Sequence, residues 1–227
     1  MRWGPRAGAR VAEAVVTPGD GRITAIVPDP RRAGAVRLSV DGRLRWTVAA
    51  AAVDGLAVGA VLTDPLGGRL EAAADAEGAL RSALRAFAYR SFARRDLARR
   101  LVRKGDPAPA VEAALLECER MGLIDDLAFA RSFVESRAAR GRGPARVARD
   151  LGAAGVERAV VDQALVDWPA SAPPEALALA LARKRAGQLR DVERQARRRR
   201  VLAYLARRGF TGSAEYEAIS VSTNKTS

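Results

Sequence analysis

The chain has 227 residues, enough to bury a core in one or two domains, and carries 39 Lys and Arg against 26 Asp and Glu, a balance of +13. It has no histidine and one cysteine, Cys118, which removes the usual Ser–His and Cys–His triads, an internal disulfide and any ordinary zinc site. The most apolar stretch, Trp46 to Leu62, is broken by Asp54, Gly55 and Gly59, and Arg2, Pro5, Arg6 and Arg10 precede no apolar run, so neither a membrane span nor a signal peptide is expected.

Residues 1–21 have no sustained period and are expected to form a flexible arm. Residues 22–73 are expected to form a small β-rich element. Ile23, Ala25 and Val27 alternate with other residues, as do Val36, Leu38 and Val40, and Leu44, Trp46 and Val48 resume the alternation after Asp41-Gly42. That dipeptide supplies the positive-φ pair a tight hairpin needs, so the prediction is an antiparallel meander with one apolar face. Val48 to Val53 is open to a helical turn. Gly55 to Leu62, with Asp64-Pro65 and Gly67-Gly68 after it, reads as a short closing strand and turn.

From Ala74 the period becomes helical, with Leu80, Leu84 and Phe87 on one stripe. The chain then repeats itself. Leu97/Leu101/Gly105, Val147/Leu151/Gly155 and Val201/Leu205/Gly209 share one spacing, Val111 and Val161 stand six beyond their glycines, and Leu115, Leu165 and Ile219 stand ten beyond; Glu215 breaks the third copy. Such recurrence marks one supersecondary unit used three times. Helices are predicted at about 94–104, 108–121, 126–139, 145–154, 157–166, 176–189, 192–208 and 214–219. The fold class is therefore mainly α: tandem three-helix, helix-turn-helix-like repeats with a small N-terminal antiparallel β element. Repeat 1 covers 74–122, repeat 2 123–168 and repeat 3 173–219, and 220–227 is a polar tail. Each repeated glycine is read as a left-handed helix end, with Val156 and Phe210 packing back; Asp106-Pro107 predicts a looser turn in the first copy. Cys118 falls on the stripe Val111, Leu115, Cys118, Met121 and is expected to be buried filler.

The charge is unevenly placed. Residues 1–78 carry 10 positive and 9 negative side chains, 81–104 carry 9 and 1, 105–182 carry 8 and 12, and 183–208 carry 11 and 2. Two basic repeats thus flank an acidic one, and compositional bias alone should spread evenly. The candidate contact residues for a polyanion are Arg94, Arg95, Arg99, Arg100, Arg103 and Lys104 in the first copy and Arg197, Arg198, Arg200, Arg207 and Arg208 in the third. Tyr89, Phe92 and Tyr204 stand near these rows; base stacking is open to them, but core or edge packing is the favoured expectation for each.

No catalytic, cofactor or metal site is predicted. There is no Gly-rich phosphate loop with a following Lys-Ser/Thr. Asp125-Asp126 is the one conspicuous carboxylate pair; a magnesium nuclease would need it, but capping of a helix N-terminus is the simpler role. A helix-turn-helix transcriptional regulator is the alternative from another class, although the helices offer mostly Arg and Ala where a recognition helix would present Asn, Gln and Arg to bases.

The segment 88–105 (AYRSFARRDLARRLVRKG), followed by 121–156 (MGLIDDLAFARSFVESRAARGRGPARVARDLGAAGV) and 199–210 (RRVLAYLARRGF), resembles the RecX family of recombinase regulators. The likeness spans roughly residues 22–219, and its most specific part is the Gly-Leu-Ile-Asp-Asp run leading through Arg137 to the Gly-x-Gly-Pro linker. The resemblance implies an array of three-helix units, without catalysis or cofactor, that binds the RecA nucleoprotein filament and suppresses its extension, ATP turnover and strand exchange, with weak non-specific binding to single- or double-stranded DNA. A monomer in the cytoplasm, with no membrane partner, is expected. Two positions depart from the family: Ala93, where a serine would complete a capping box with Asp96, and Asp106, where an apolar residue is usual.

Overall fold

The computed structural model describes residues 21–211, so the predicted arm, the 214–219 helix and the polar tail lie outside the described residues. These residues form two units, one built from 21–88 with 100–118 and the other from 89–99 with 119–211. The fold class is the one the sequence predicts: a three-stranded antiparallel sheet followed by eight helices.

In the first unit, β1 (Ile23–Pro28), β2 (Ala35–Val40) and β3 (Arg43–Ala49) form a meander in that order. The β2–β3 turn is the predicted one, with φ of 48° at Asp41 and 77° at Gly42. Its tip is pinned to β1, because Thr24 Oγ1 accepts from the Gly42 N–H at 2.9 Å and Asp41 Oδ1 from the Arg22 N–H at 2.9 Å. Two register shifts alter the predicted faces. One lies between Ile23 and Ala25, so Ile23 and Ile26, rather than Ile23, Ala25 and Val27, join the core. The other lets Leu38 pair with Trp46 while Ser39 pairs with Leu44; Leu44 turns to solvent, 58% exposed, as Trp46 and Val48 stay buried. A 3-10 turn follows at Ala50–Val53, where a helical turn was open.

The predicted closing strand is reduced to one bridge, Arg22 to Val61. Helix α1 starts ten residues earlier than its period indicates, at Asp64, and runs to Phe87. Asp64-Pro65 opens it, since an acid and a proline both suit a first turn that lacks internal N–H partners. The Gly67-Gly68 pair does not stop it because Leu66 and Leu70, on either side, pack on the sheet's apolar face. Glu77 is buried on this helix and pairs with Arg32 from the β1–β2 turn.

Helix α2 (Arg94–Lys104) belongs to the second unit through Arg99 and to the first from Arg100 onward. Helix α3 (Ala108–Arg120) buries Val111, Leu115 and Cys118 as predicted, whereas Met121, 47% exposed, falls just past its end and leaves the stripe. The second copy contains α4 (Asp126–Ala139), α5 (Pro144–Ala154) and α6 (Arg158–Val166), around Ala130, Val134, Val147, Leu151, Val161 and Ala164, with Ala93 joining them. The third copy provides α7 (Pro174–Gly187) and α8 (Arg194–Arg208), around Ala178, Ala182, Val201, Leu205 and Phe210.

All three repeated glycines are left-handed, with φ of 100° at Gly105, 91° at Gly155 and 93° at Gly209. The residue after each donates its N–H five residues back: Asp106 to Leu101 O at 3.2 Å, Val156 to Leu151 O and Phe210 to Leu205 O, both at 3.1 Å. The first turn is therefore as tight as its siblings, contrary to expectation, because this closure uses only backbone groups and is indifferent to the Asp106 side chain.

The glycines have a second role that periodicity does not reveal. In the second unit, a Cβ at Gly155 would stand 2.5 Å from Arg95 Cβ, and one at Gly209 would run into the Arg146 backbone and Cβ. The end of α5 thus abuts the N-terminal half of α2, and the end of α8 abuts the N-terminus of α5. The second joint is sealed by Gly143 N–H to Arg208 O at 2.8 Å and Ala145 N–H to Gly209 O at 3.2 Å. Gly105, which has no preceding copy to meet, has no described atom within 4 Å of where a Cβ would stand.

Candidate charged interaction surface

The acidic pair is used for capping. Asp125 Oδ1 accepts from the N–H groups of Leu127 and Ala128 at 3.0 and 2.9 Å, so it caps its own helix α4. Asp126 Oδ1 accepts from the Arg94 N–H at 2.8 Å and so caps α2 from another element. This supplies what Ala93 cannot, and explains how α2 starts cleanly at Arg94 without a local capping box. Among the described residues no cluster of three or more acidic or thiol ligands could hold a metal ion.

Buried Leu97 and Leu101 set the faces of α2. Arg95, Arg99 and Arg103 lie on the opposite side and are exposed, as are Arg100 and Lys104. Several are engaged within their own unit. Arg94 Nε meets Glu119 Oε1 at 2.6 Å, with both side chains about one-third exposed. Arg99 Nη2 donates to Ala153 O at 2.8 Å, in the last turn of α5, where helix carbonyls carry partial negative charge, and its guanidinium lies 3.8 Å from Asp96. Arg95 is the residue against which Gly155 packs. In the first unit, Lys104 Nζ donates to Ser82 Oγ. The arginine row of α2 is thus partly mortar between copies, a use invisible in a charge count.

In α8, Val201 and Leu205 face the core and the arginines fan around the rest. Arg198, Arg200 and Arg207 are exposed, while Arg197 and Arg208 are half-buried. Arg208 Nη1 donates to Arg140 O at 3.3 Å and Gly141 O at 3.1 Å, tying the end of α8 to the end of α4. Tyr204 lies beneath two guanidinium groups, Arg208 at 4.9 Å and Arg185 of α7 at 5.8 Å from its ring. Arg185, on a different helix from the counted row, was not among the predicted contacts. At the start of α8 the Glu193 side chain accepts from Gln195 and Ala196 N–H groups at 2.8 and 2.9 Å, which hold its carboxyl below the usual carboxylate range, with Arg199 and Arg197 adding to the effect.

Of the three flagged aromatics, Phe92 is buried beneath Arg90, whose guanidinium stands 3.6 Å from its ring centre, and Tyr204 is half-buried. Tyr89 departs from the packing expectation: it is 90% exposed, in the loop between α1 and α2.

Comparison with known proteins agrees with this architecture. The family model described as RecX, second three-helix domain, matches residues 125–165, and that described as RecX, third three-helix domain, matches residues 174–219. Regulatory protein RecX of Halorhodospira halophila is 38% identical over 145 residues, 62% of this chain and 86% of that protein. Regulatory protein RecX of Pseudomonas entomophila is 35% identical over 136 residues, 58% of this chain and 83% of that protein. A crystal structure of regulatory protein RecX superposes with a TM-score of 0.74 at 25% identity, covering 88% of this chain and 98% of that one. RecX from Lactobacillus salivarius, 18% identical with a TM-score of 0.58 over 65% of this chain and 96% of that one, shares the fold.

Proposed function

Because the chain belongs to the RecX family, we propose that it is a regulatory protein that binds the RecA recombinase and its nucleoprotein filament, restrains filament extension, ATP turnover and strand exchange, and so modulates recombination and DNA repair. The observation that carries this reading is the likeness across nearly the whole of a solved RecX chain, repeats and sheet together. The arginines of α2 and α8 supply the positive charge that a phosphate backbone or an acidic recombinase surface would meet.

The transcriptional-regulator alternative fares worse against the geometry. A recognition helix offers its N-terminal residues to base edges, yet the N-terminal half of α2 is met by the end of α5 and the N-terminus of α5 by the end of α8.

The test is RecA ATPase on single-stranded DNA with increasing amounts of this protein, added before and after filament assembly. Inhibition is expected in both orders. Inhibition at ratios far below one per recombinase subunit would indicate capping of filament ends, and near-stoichiometric inhibition would indicate coating. ATPase unchanged at stoichiometric excess would overturn the reading.

A further inference from the structure

The two joints of the second unit are built differently. Where the start of α2 meets copy 2, Ala93 is wholly buried in the cluster formed by Val134, Val147 and Leu151, so the two elements share one apolar core. Where copy 2 meets copy 3 the apolar clusters stay separate. The cluster around Val147 and Leu151 takes no residue from α7 or α8, and the cluster around Val201 and Leu205 takes none from α4, α5 or α6. Copy 3 touches copy 2 instead at the backbone of the α4–α5 turn, where Gly141 and Gly143 are buried, the first facing Leu181 of α7 and the second facing Gly209 and Phe210.

What closes this joint is polar. The Gly143 N–H donates to Arg208 O at 2.8 Å, the Ala145 N–H to Gly209 O at 3.2 Å, and Arg208 Nη1 to Arg140 O and Gly141 O at 3.3 and 3.1 Å. Each of these groups finds water when the joint parts, so its net contribution is a fraction of its strength in isolation. Parting an apolar core exposes surface for which water is no substitute. Copy 3 therefore comes away from copy 2 at lower cost than either core comes apart.

The connecting residues direct the movement. Trp168 packs on the copy 2 cluster and its ring N–H donates to Ala172 O at 2.8 Å, so the loop after α6 is held to copy 2 as far as Ala172. Pro173 and Pro174 follow and open α7. Proline fixes φ and restricts the residue before it, which leaves little more than ψ at Ala172 and Pro173 free to turn. The arc is narrow, unlike that of a loose tether.

We propose that copy 3 is a hinged leaf, which swings as a rigid body about residues 172–174 and is latched on the α4–α5 turn by Arg208. Opening frees the N–H groups of Gly143 and Ala145 at the start of α5 and leaves both cores intact. It lets the basic α8 change its setting against copy 2, the freedom a chain needs to follow successive subunits of a filament. That use rests on the regulatory reading, whereas the hinge stands on the joint.

The test is residue-resolved amide hydrogen exchange by NMR on the full-length protein, without recombinase, over a series of low urea concentrations. The Gly143 and Ala145 amides should exchange about tenfold or more faster than those of Leu151 and Leu205, and almost independently of urea, since a rigid swing exposes little surface. Leu151 and Leu205 should exchange only through openings that steepen with urea. Arg208→Met keeps an unbranched apolar stem and removes the guanidinium; it should speed Gly143 and Ala145 about tenfold further and leave Leu151 and Leu205 unchanged, with Arg208→Lys between the two. Arg207→Met, at an exposed neighbouring position, should change none of the four. Joint amides that exchange with Leu151 and Leu205 at one urea-dependent rate would overturn the hinge, because the copies would then part only on unfolding. So would Gly143, Ala145 and Leu205 exchanging together ahead of Leu151 with a steep urea dependence, which means that copy 3 melts and does not swing. Arg208→Met that quickens Leu205 as much as Gly143 would overturn the latch. Should that variant not fold, the wild-type urea series decides. Exchange as expected in a protein that leaves RecA ATPase unchanged removes the regulatory reading and keeps the hinge; inhibition by a protein whose joint amides follow the cores does the reverse.

Discussion

Alanine placed at each of the three repeated glycines separates helix capping from the joint between copies. Gly105→Ala forces a left-handed φ of 100° on a residue with a Cβ, but that Cβ meets no described atom within 4 Å, so the cost is conformational alone, about 1–2 kcal/mol. Gly155→Ala carries the same penalty at 91° and adds a Cβ 2.5 Å from Arg95 Cβ. Relieving that overlap means moving one element against another, typically about 1–3 kcal/mol more, for a total of about 2–5 kcal/mol. At Gly209 the obstacle includes the Arg146 backbone, which cannot swing aside, so Gly209→Ala should be the worst of the three. Asparagine tolerates the left-handed region, so Gly105→Asn should be nearly neutral and Gly209→Asn should not. Urea unfolding followed by far-ultraviolet circular dichroism gives the ranking, Gly105 least and Gly209 most. Equal costs at all three positions would show that the glycines only end helices and would refute the joint.

Three other expectations follow from the side-chain geometry. Asp126→Ala should destabilise by about 1 kcal/mol through loss of the cap on α2, and Asp125→Ala by a similar amount through α4, both read by the same unfolding assay; divalent ions should change neither, since both carboxylates serve N–H groups. Arg32→Met should cost about 3–5 kcal/mol, because it leaves the buried Glu77 carboxylate without its partner, while Arg32→Met combined with Glu77→Ala should recover most of the loss. Glu193 is a depressed carboxyl, so its contribution to the start of α8 is full above the ordinary glutamate range and is lost as pH falls through its lower folded value. Wild type should therefore lose α8 stability on acidification more steeply than Glu193→Gln, as hydrogen exchange of the α8 amides would report; identical pH profiles would remove the cap from the account.

The helices were legible because their signals are local. Apolar spacing located all eight described helices, with several ends correct to the residue, and the positive-φ demand of a terminal turn made Gly105, Gly155 and Gly209 readable as helix ends. The Asp41-Gly42 hairpin was legible for the same reason. Faces set by strand register were not: one displaced residue between Arg43 and Trp46 sends Leu44 to solvent, and nothing in an alternating pattern announces a bulge. The start of α1 was misjudged because Gly67-Gly68 has a strong local preference for a turn, which packing of Leu66 and Leu70 on the sheet overrides.

At the charged surface the division follows the same line. Charge density along the chain marked α2 and α8 as basic, since it depends on composition alone. Which arginines are turned outward, which hold copies together and which lie over Tyr204 depends on pairs far apart in sequence: Arg94 with Asp126, Arg99 with Ala153, Arg208 with Gly141, Arg185 with Tyr204. A period records how a helix faces its own core, so by itself the sequence determined the helices, most of their ends and the family, but not the start of α1. Only the tertiary structure decided that Gly155 and Gly209 are where one copy closely meets the copy before it, because close approach is a property of two segments and no single segment encodes it.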